Sequence, residues 1–390
     1  HPLPAGTVPL VRKLPRRCRG RGRALMKSPF PYFGGKRRVA PQVWLAFGDV
    51  DNYVEPFSGS LAVLLGRPEG HAMRAETVND TDCFLSNFWR ALAADPEAVA
   101  KWCDWPVNEC DLLARHIWLV NTGRERIAKL EADPDFYDAK VAGWWVWGIN
   151  AWIGSGWCVG NGPWGIVAGV VAKNGKKGGQ LPHLGDAGQG VNRQRPHLGN
   201  AGRGVHGSPD FAGGGSGAPP NEWRNATETG NGVLDYFYAL ATRLRRVRVC
   251  CGDWSRVVTE GALAFGSTVG VFLDPPYSGD VRTKDLYATD DHDVAVDVRE
   301  WAIANGDNRR FKIILAGYRD EHEAEIPTTW RRLNYSASKA YGTTAAVGSG
   351  NGNDANRHNE CLWFSPGCKV LNNSRTLFSA EPADELESVE

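Results

Sequence analysis

The order of apolar segments along this chain predicts an α/β fold, a mainly parallel sheet with helices on both faces. Three observations predict it. Val269–Leu273 (VGVFL) is a short, continuous apolar run, the signature of a strand buried on both sides. It stops at Asp274-Pro275-Pro276, because proline cannot donate a ladder hydrogen bond. Strand–loop–helix units recur before and after it, the pattern of parallel sheets joined by crossover helices. At least four of these strands run into a loop bearing a turn element, an acid or an aromatic ring, and open α/β sheets bind ligands at that carboxyl edge.

The elements follow in order. Arg37–Phe47 reads as a helix after Ser28–Lys36 (SPFPYFGGK), where Gly34-Gly35 permit a tight turn beside Tyr32, Phe33 and Lys36. The spacing is not that of a Walker loop. Tyr53-Val54 is a short strand ending in Glu55-Pro56-Phe57, with Ser58-Gly59-Ser60 as a turn and Leu61–Leu65 opening a helix. Such a loop exposes backbone N–H groups and a helix N-terminus to a ligand, although the dinucleotide fingerprint GxGxxG is absent. Arg74–Val78 is a second strand. Asp80 follows it about 20 residues past the first loop, where nucleotide sites place the acid that holds a ribose; Asn79-Asp80 also reads as a helix N-cap. The next helix begins near Asp82 and includes Leu85–Leu92.

Residues 95–137 read as helices broken at Pro96, Pro106 and Pro134, and Ala139–Ile153 as a tryptophan-rich helix. Six tryptophans fall between Trp144 and Trp164; a packed core accounts for them better than a base-stacking platform. From Gly154 to Gly232 the composition shifts to Gly, Asn and Pro, and PHLGDAGQGV at Pro182 recurs as PHLGNAGRGV at Pro196. Two copies do not make a solenoid, so this reads as a mobile surface insertion. Its basic residues Lys173, Lys176, Lys177, Arg193, Arg195 and Arg203 are candidate polyanion contacts, as are Lys339 and Arg357 in a second glycine-rich stretch. Regular structure is expected again at Val233–Arg245 (helix), Val247–Cys251 (strand, followed by Gly252-Asp253-Trp254), a helix near His292–Ala304, and strands Phe311–Ala316 and Glu360–Phe364.

Composition sets limits on function. The chain has 390 residues, a formal net charge of +1 and 42% hydrophobic residues, so basic surface must be local and two or three domains fit. No apolar run approaches the length of a membrane span. The nine cysteines form no CxxC pair, and the Cys250-Cys251 doublet is not a zinc spacing, which reads as reduced thiols in the cytoplasm. Residues 1–25 carry seven Arg or Lys and no acid. They read as a disordered basic leader rather than a DNA-binding arm. The expected organisation is a leader (1–25), a first catalytic part (26–94), an inserted region (95–232), a second catalytic part (233–366) and a disordered tail (367–390).

FPYFGGK, YVEPFSGS, VNDTDCFLSNFWR, GDW and FLDPPY occur in this order between Phe30 and Tyr277. Together they resemble the Dam-like family of N6-adenine-specific DNA methyltransferases in its phage or prophage form. FSGS stands where such enzymes more often carry further glycines. The resemblance implies a Rossmann-like sheet that binds S-adenosyl-L-methionine (AdoMet), with residues 95–232 as the target-recognition insertion. It implies that Tyr32, Lys36 and the loop Glu55, Pro56, Phe57, Gly59 and Ser60 surround the methionine part of AdoMet. Asp80 would hold the ribose and Asp253 would lie near the adenine. Asp274, Pro275, Pro276 and Tyr277 would form the catalytic motif, with Asp274 bordering the cofactor as well. The chemistry suits these groups. Ionised Asp274 and the Pro275 carbonyl are acceptors that could take both hydrogens of an exocyclic amine, and Tyr277 could stack on a flipped base. No metal is required for that reaction. The expected partner is double-stranded DNA, for a monomeric protein with no membrane association; the resemblance also admits a cognate restriction endonuclease. N4-cytosine methylation uses the same acceptors, and an inactive DNA-binding protein of the same fold is a further alternative.

Overall fold

A computed structural model describes residues 26–30, 32, 35–72, 74–133, 135–152, 157–158, 232–276, 294–335 and 360–370, together with the backbone of 164–167, 170–173 and 291–293. A seven-stranded sheet organises these residues. Its strands are β1 (Asn52–Glu55), β2 (Ala75–Asp80), β5 (Val247–Cys251), β6 (Val269–Leu273), β7 (Phe311–Tyr318), β8 (Arg331–Asn334) and β9 (Glu360–Phe364), in the spatial order β5-β2-β1-β6-β7-β9-β8. The first five are parallel neighbours, whereas β9 runs antiparallel to both β7 and β8. This is the Rossmann-like sheet that the motifs imply. From β1 the chain steps outward to β2 and β5, then returns to the other side of β1 for β6 and β7. The strand order therefore reverses between β1 and β6, and in open α/β sheets a crevice opens at the carboxyl ends of such a pair.

The alternation of side chains explains why helices cover both faces. Tyr53, Val78, Phe272, Ile314, Ala316, Leu362 and Phe364 point into one core, while Val54, Val269, Val271, Leu273, Ile313, Leu315, Cys361 and Trp363 point into the other. Successive residues of one strand serve opposite faces, so near-continuous apolar runs such as VGVFL need cover on both. The first core is closed by α1 (Ala40–Phe47), α2 (Ala62–Leu65), α3 (Cys83–Ala94), α4 (Pro96–Cys103), α7 (Ala139–Ala151) and α8 (Gly232–Leu244). The second is closed by α9 (Asp291–Gly306) and the 3₁₀ turn Trp254–Val257. Between α4 and α7 lie α5 (Glu109–Trp118), a π-helical turn (Leu119–Gly123) and α6 (Arg124–Ile127).

Local sequence sets the helix starts. Asp82 caps α3, its Oδ1 accepting from the Phe84 and Leu85 N–H groups at 2.8 and 3.4 Å. Asp95 caps α4 through Ala98 N–H, Asn108 caps α5 through Asp111 N–H, and Asp138 caps α7 through Val141 N–H. Each cap satisfies an amide that has no partner within its helix. Pro96 occupies the first turn of α4, where the absent N–H is harmless. It therefore opens a helix rather than breaking one.

Other details depart from the sequence reading. The α3 cap is Asp82, not Asn79-Asp80. The β8 strand departs from the sequence reading, because RRLN opens on two consecutive charges, Arg331 and Arg332, and offers a single apolar residue, Leu333. A short antiparallel hairpin, β3 (Trp164–Val167) with β4 (Val170–Lys173), lies within the stretch expected to be a mobile insertion. The tail does not come free at residue 367. Cys368 is buried, its N–H bonded to Ser365 O, and Lys369 N–H donates to Ala46 O at 2.8 Å. Trp145 and Trp147 are buried, and Trp145 packs edge-on against Phe30 at 5.0 Å, as expected of a packed core. The helices α4 and α7 share one core with α3 and the sheet, so the helical part of the 95–232 region is built onto the seven-stranded sheet. Among the described residues no helix is long and apolar enough to cross a membrane. The leader 1–25, both copies of the 14-residue repeat and residues 371–390 lie outside the described residues.

Candidate active site

The site forms where β1, β2, β5 and β6 end side by side. Asn79 and Asp80, the last two residues of β2, tie the neighbouring loops together. The Ser58 N–H donates to Asn79 O at 2.9 Å, and the Gly252 N–H donates to Asp80 O at 3.1 Å. The buried Asn79 side chain adds two bonds, its Nδ2 donating to Pro56 O at 3.1 Å and to Gly252 O at 2.9 Å. Asp80 accepts from Gly59 N–H through Oδ2 and from Asp82 N–H through Oδ1, each at 2.9 Å. One dipeptide thus positions the loop after β1 and the turn after β5.

The Glu55–Ser60 loop needs its glycine. Gly59 has φ +44°, and a Cβ there would lie 2.7 Å from the Tyr32 ring. Its conformation is left-handed, which costs other residues strain, and an aromatic ring closes the space as well. Trp89 Nε1 donates to Gly59 O at 3.3 Å, so α3 also holds the loop. Ser60 is buried close to Gly35. Pro56 is buried, and Phe57, partly exposed, stacks on Trp254 with centroids 6.2 Å apart.

Acids gather at this edge. Lys36, buried in the 3₁₀ turn before α1, pairs with Asp274 at the end of β6, Nζ to Oδ1 2.9 Å. Glu55 is buried and accepts from the Tyr53 hydroxyl at 2.9 Å. Burial first, and then the negative charges of Asp274 and Asp80, push its pKa up to about 8. Asp80 is raised to about 6, chiefly by desolvation and against the pull of its backbone donors. That Asp274 and Asp80 both act on Glu55 places three carboxyl groups in one electrostatic neighbourhood, with Lys36 in contact with one of them.

The sequence-derived candidates divide into three groups. Tyr32, Lys36, Glu55, Pro56, Phe57, Gly59, Ser60, Asp80, Asp274, Pro275 and Pro276 lie at or beside the β1–β6 crevice or the adjacent β2 end. Asp253 lies after β5, where it caps the turn Trp254–Val257, accepting from Ser255 N–H at 2.9 Å. Tyr277, Lys176, Lys177, Arg193, Arg195, Arg203, Lys339 and Arg357 lie outside the described residues, and only the backbone of Lys173, at the end of β4, is described. Two contributors escaped the sequence reading. In the sequence Asn79 reads only as a cap, although a polar residue inside a strand end is a signal that its side chain serves a neighbouring loop. Trp254 lies within the GDW motif, and its stacking with Phe57 is a tertiary contact without a local sequence signal.

Residues 32–107 match the family model of the D12 class N6 adenine-specific DNA methyltransferase. The match runs from Tyr32 through the Glu55–Ser60 loop, Asn79-Asp80, α3 and α4, so the resemblance of the first three motifs to N6-adenine-specific DNA methyltransferases is borne out over those residues. No curated protein matches the chain.

Proposed function

We propose that this chain is a site-specific DNA methyltransferase that transfers a methyl group from AdoMet to N6 of an adenine turned out of duplex DNA. The observation that carries the reading is the carboxyl edge of β1 and β6, where the sheet order reverses. There Asp274 begins a Pro-Pro segment, and Glu55 and Asp80 approach it from the neighbouring strands.

The donor set fits AdoMet. That molecule presents a sulfonium and an ammonium, and Glu55, Asp80 and Asp274 bring three carboxyl groups into one neighbourhood, where a bound cation would favour their ionised forms. The Phe57–Trp254 pair offers aromatic surface beside Asp253 for an adenine ring. Glu55 and the Gly59 loop would hold the methionine end, Asp80 the ribose hydroxyls and Asp253 the adenine side. When bound, AdoMet supplies an electrophilic methyl group.

The remaining work falls to the chain. An exocyclic amine is a poor nucleophile because its lone pair is conjugated with the ring. Asp274 and the Pro275 carbonyl, acceptors at the end of a rigid buried strand, would take the two amine hydrogens and direct the lone pair outward. Positioning on rigid elements contributes much of the remaining rate. Lys36 holds Asp274 before the amine arrives and would balance its charge. Residues 95–232 would recognise the target, with Lys173, Lys176, Lys177, Arg193, Arg195 and Arg203 as phosphate contacts, joined by Lys339 and Arg357. Tyr277 would stack on the flipped base.

Mass spectrometry of nucleosides from duplex DNA incubated with the protein and AdoMet tests the reading. N6-methyladenine is the expected product. N4-methylcytosine alone would overturn the choice of base but leave the acceptor mechanism standing, and no methylated nucleoside would favour a DNA-binding protein without turnover.

A further inference from the structure

Behind the proposed cofactor edge lies a second cluster of reactive side chains. Cys83, the first residue of α3, and Cys251, the last residue of β5, bring their Sγ atoms to 3.5 Å. A Glu131 carboxylate oxygen, at the end of the 3₁₀ turn Ala128–Glu131, joins them, and the three donor atoms lie within 4.8 Å of one another. We propose that Cys83, Cys251 and Glu131 form a binding site for one thiophilic divalent cation of the zinc class.

The geometry supports this. A tetrahedral ion holding two sulfurs at about 2.3 Å each separates them by about 3.8 Å, close to the distance already present. Two thiolates with one carboxylate suit zinc-class ions rather than magnesium or calcium, which prefer oxygen alone. Cys251 is buried and Cys83 half-buried, whereas Glu131 is exposed, so one side stays open for an entering ion and a fourth, solvent ligand. Binding would displace the two thiol protons to solvent. Cys83 sits at the N-terminus of a 12-residue helix, whose positive end favours its thiolate.

The ion would clamp two segments that already meet. Ser86 Oγ, one turn into α3, donates to both Asp80 O and Cys250 O at 3.3 Å. The clamp would therefore fasten the β2–α3 turn, which carries Asp80, to the end of β5, which leads into Gly252 and Asp253. It lies outside the proposed transfer chemistry and does not depend on it.

The test uses the full chain, reduced and freed of metal, with cobalt(II) and then zinc(II) as probes. Equimolar cobalt should give the near-ultraviolet thiolate-to-cobalt charge-transfer band, and zinc should abolish it. Cys83→Ser and Cys251→Ser should each remove most of the band. Glu131→Gln should weaken binding about ten-fold or more, on the scale of losing an oriented metal partner. Cys110→Ser, at an exposed cysteine that is not one of the three clustered groups, should retain the band. Because Cys251 is buried, circular dichroism should accompany each variant, and the half-buried Cys83→Ser carries the decision if Cys251→Ser does not fold. Absence of the band in the wild type, or a band undiminished in Cys83→Ser, would overturn the proposal. So would isolation of the pair as a disulfide whose reduced form binds neither ion.

Discussion

Lys36 Nζ lies 2.9 Å from Asp274 Oδ1, joining the turn that precedes the first helix to the end of the central strand β6. Lys36 is 5% exposed and Asp274 20%, so water screens the pair only in part. The contact fixes the carboxylate at the crevice where strand order reverses, and it couples the first motif of the chain to the last.

Asp274→Asn should lower methyl transfer by about a hundred-fold or more, the range for losing a positioned proton-handling group, while leaving AdoMet affinity within a few-fold. Single-turnover assays beside equilibrium binding separate the two effects. Loss of AdoMet binding with unchanged single-turnover rate at saturation would reverse the assignment.

Asp80→Ala should show the opposite split, weakening AdoMet binding more than turnover at saturating cofactor. The variant removes the acceptor for Gly59 N–H as well as the proposed ribose ligand. Isothermal titration of wild type and variant decides it, and equal affinities would refute the role.

Gly59→Ala should destabilise the fold by about 1–2 kcal/mol from its left-handed backbone alone. It should also impair AdoMet binding, because the added Cβ would meet the Tyr32 ring. Urea denaturation measures the first effect. Tyr32→Ala introduced beside Gly59→Ala should relieve the clash but not the backbone strain.

Asn79→Ala should cost about 1–3 kcal/mol, since the Pro56 and Gly252 carbonyls lose their shared donor inside the protein. Hydrogen exchange should rise in both the Glu55–Ser60 loop and the segment after β5. A rise confined to one of them would contradict the paired role.

Stability should fall as pH rises. Glu55 and Asp80 have folded pKa values above their ordinary ones, so the folded state binds more protons than the unfolded state within the window between them. That window runs from 4.5 to about 8 for Glu55 and from 3.8 to about 6 for Asp80. Glu55→Gln should remove the part of the decline that extends above about pH 6. AdoMet affinity should climb over the same range, as the acids acquire the charge that attracts its cations. Thermal unfolding across this pH range, with and without AdoMet, checks both slopes.

Much of this protein was determined by local sequence. VGVFL followed by Asp-Pro-Pro, Val247–Cys251 and Glu360–Phe364 became strands at the positions read from them, because short, predominantly apolar segments ended by proline, glycine or acid admit few other solutions. The carboxyl-edge candidates were legible for the same reason, since a strand that stops at an acid carries that acid to the sheet edge. Tertiary structure decided the rest. That β9 enters between β7 and β8 depends on strand pairing across the sheet, which leaves no periodic signal in RRLN. The task of Asn79 depends on two carbonyls supplied by other loops. Cys83 and Cys251 show no metal spacing along the chain, and they meet only because β2 and β5 are parallel neighbours and α3 starts where they end. Local propensity reads what one segment prefers, whereas these relationships arise from packing between segments that the sequence keeps far apart.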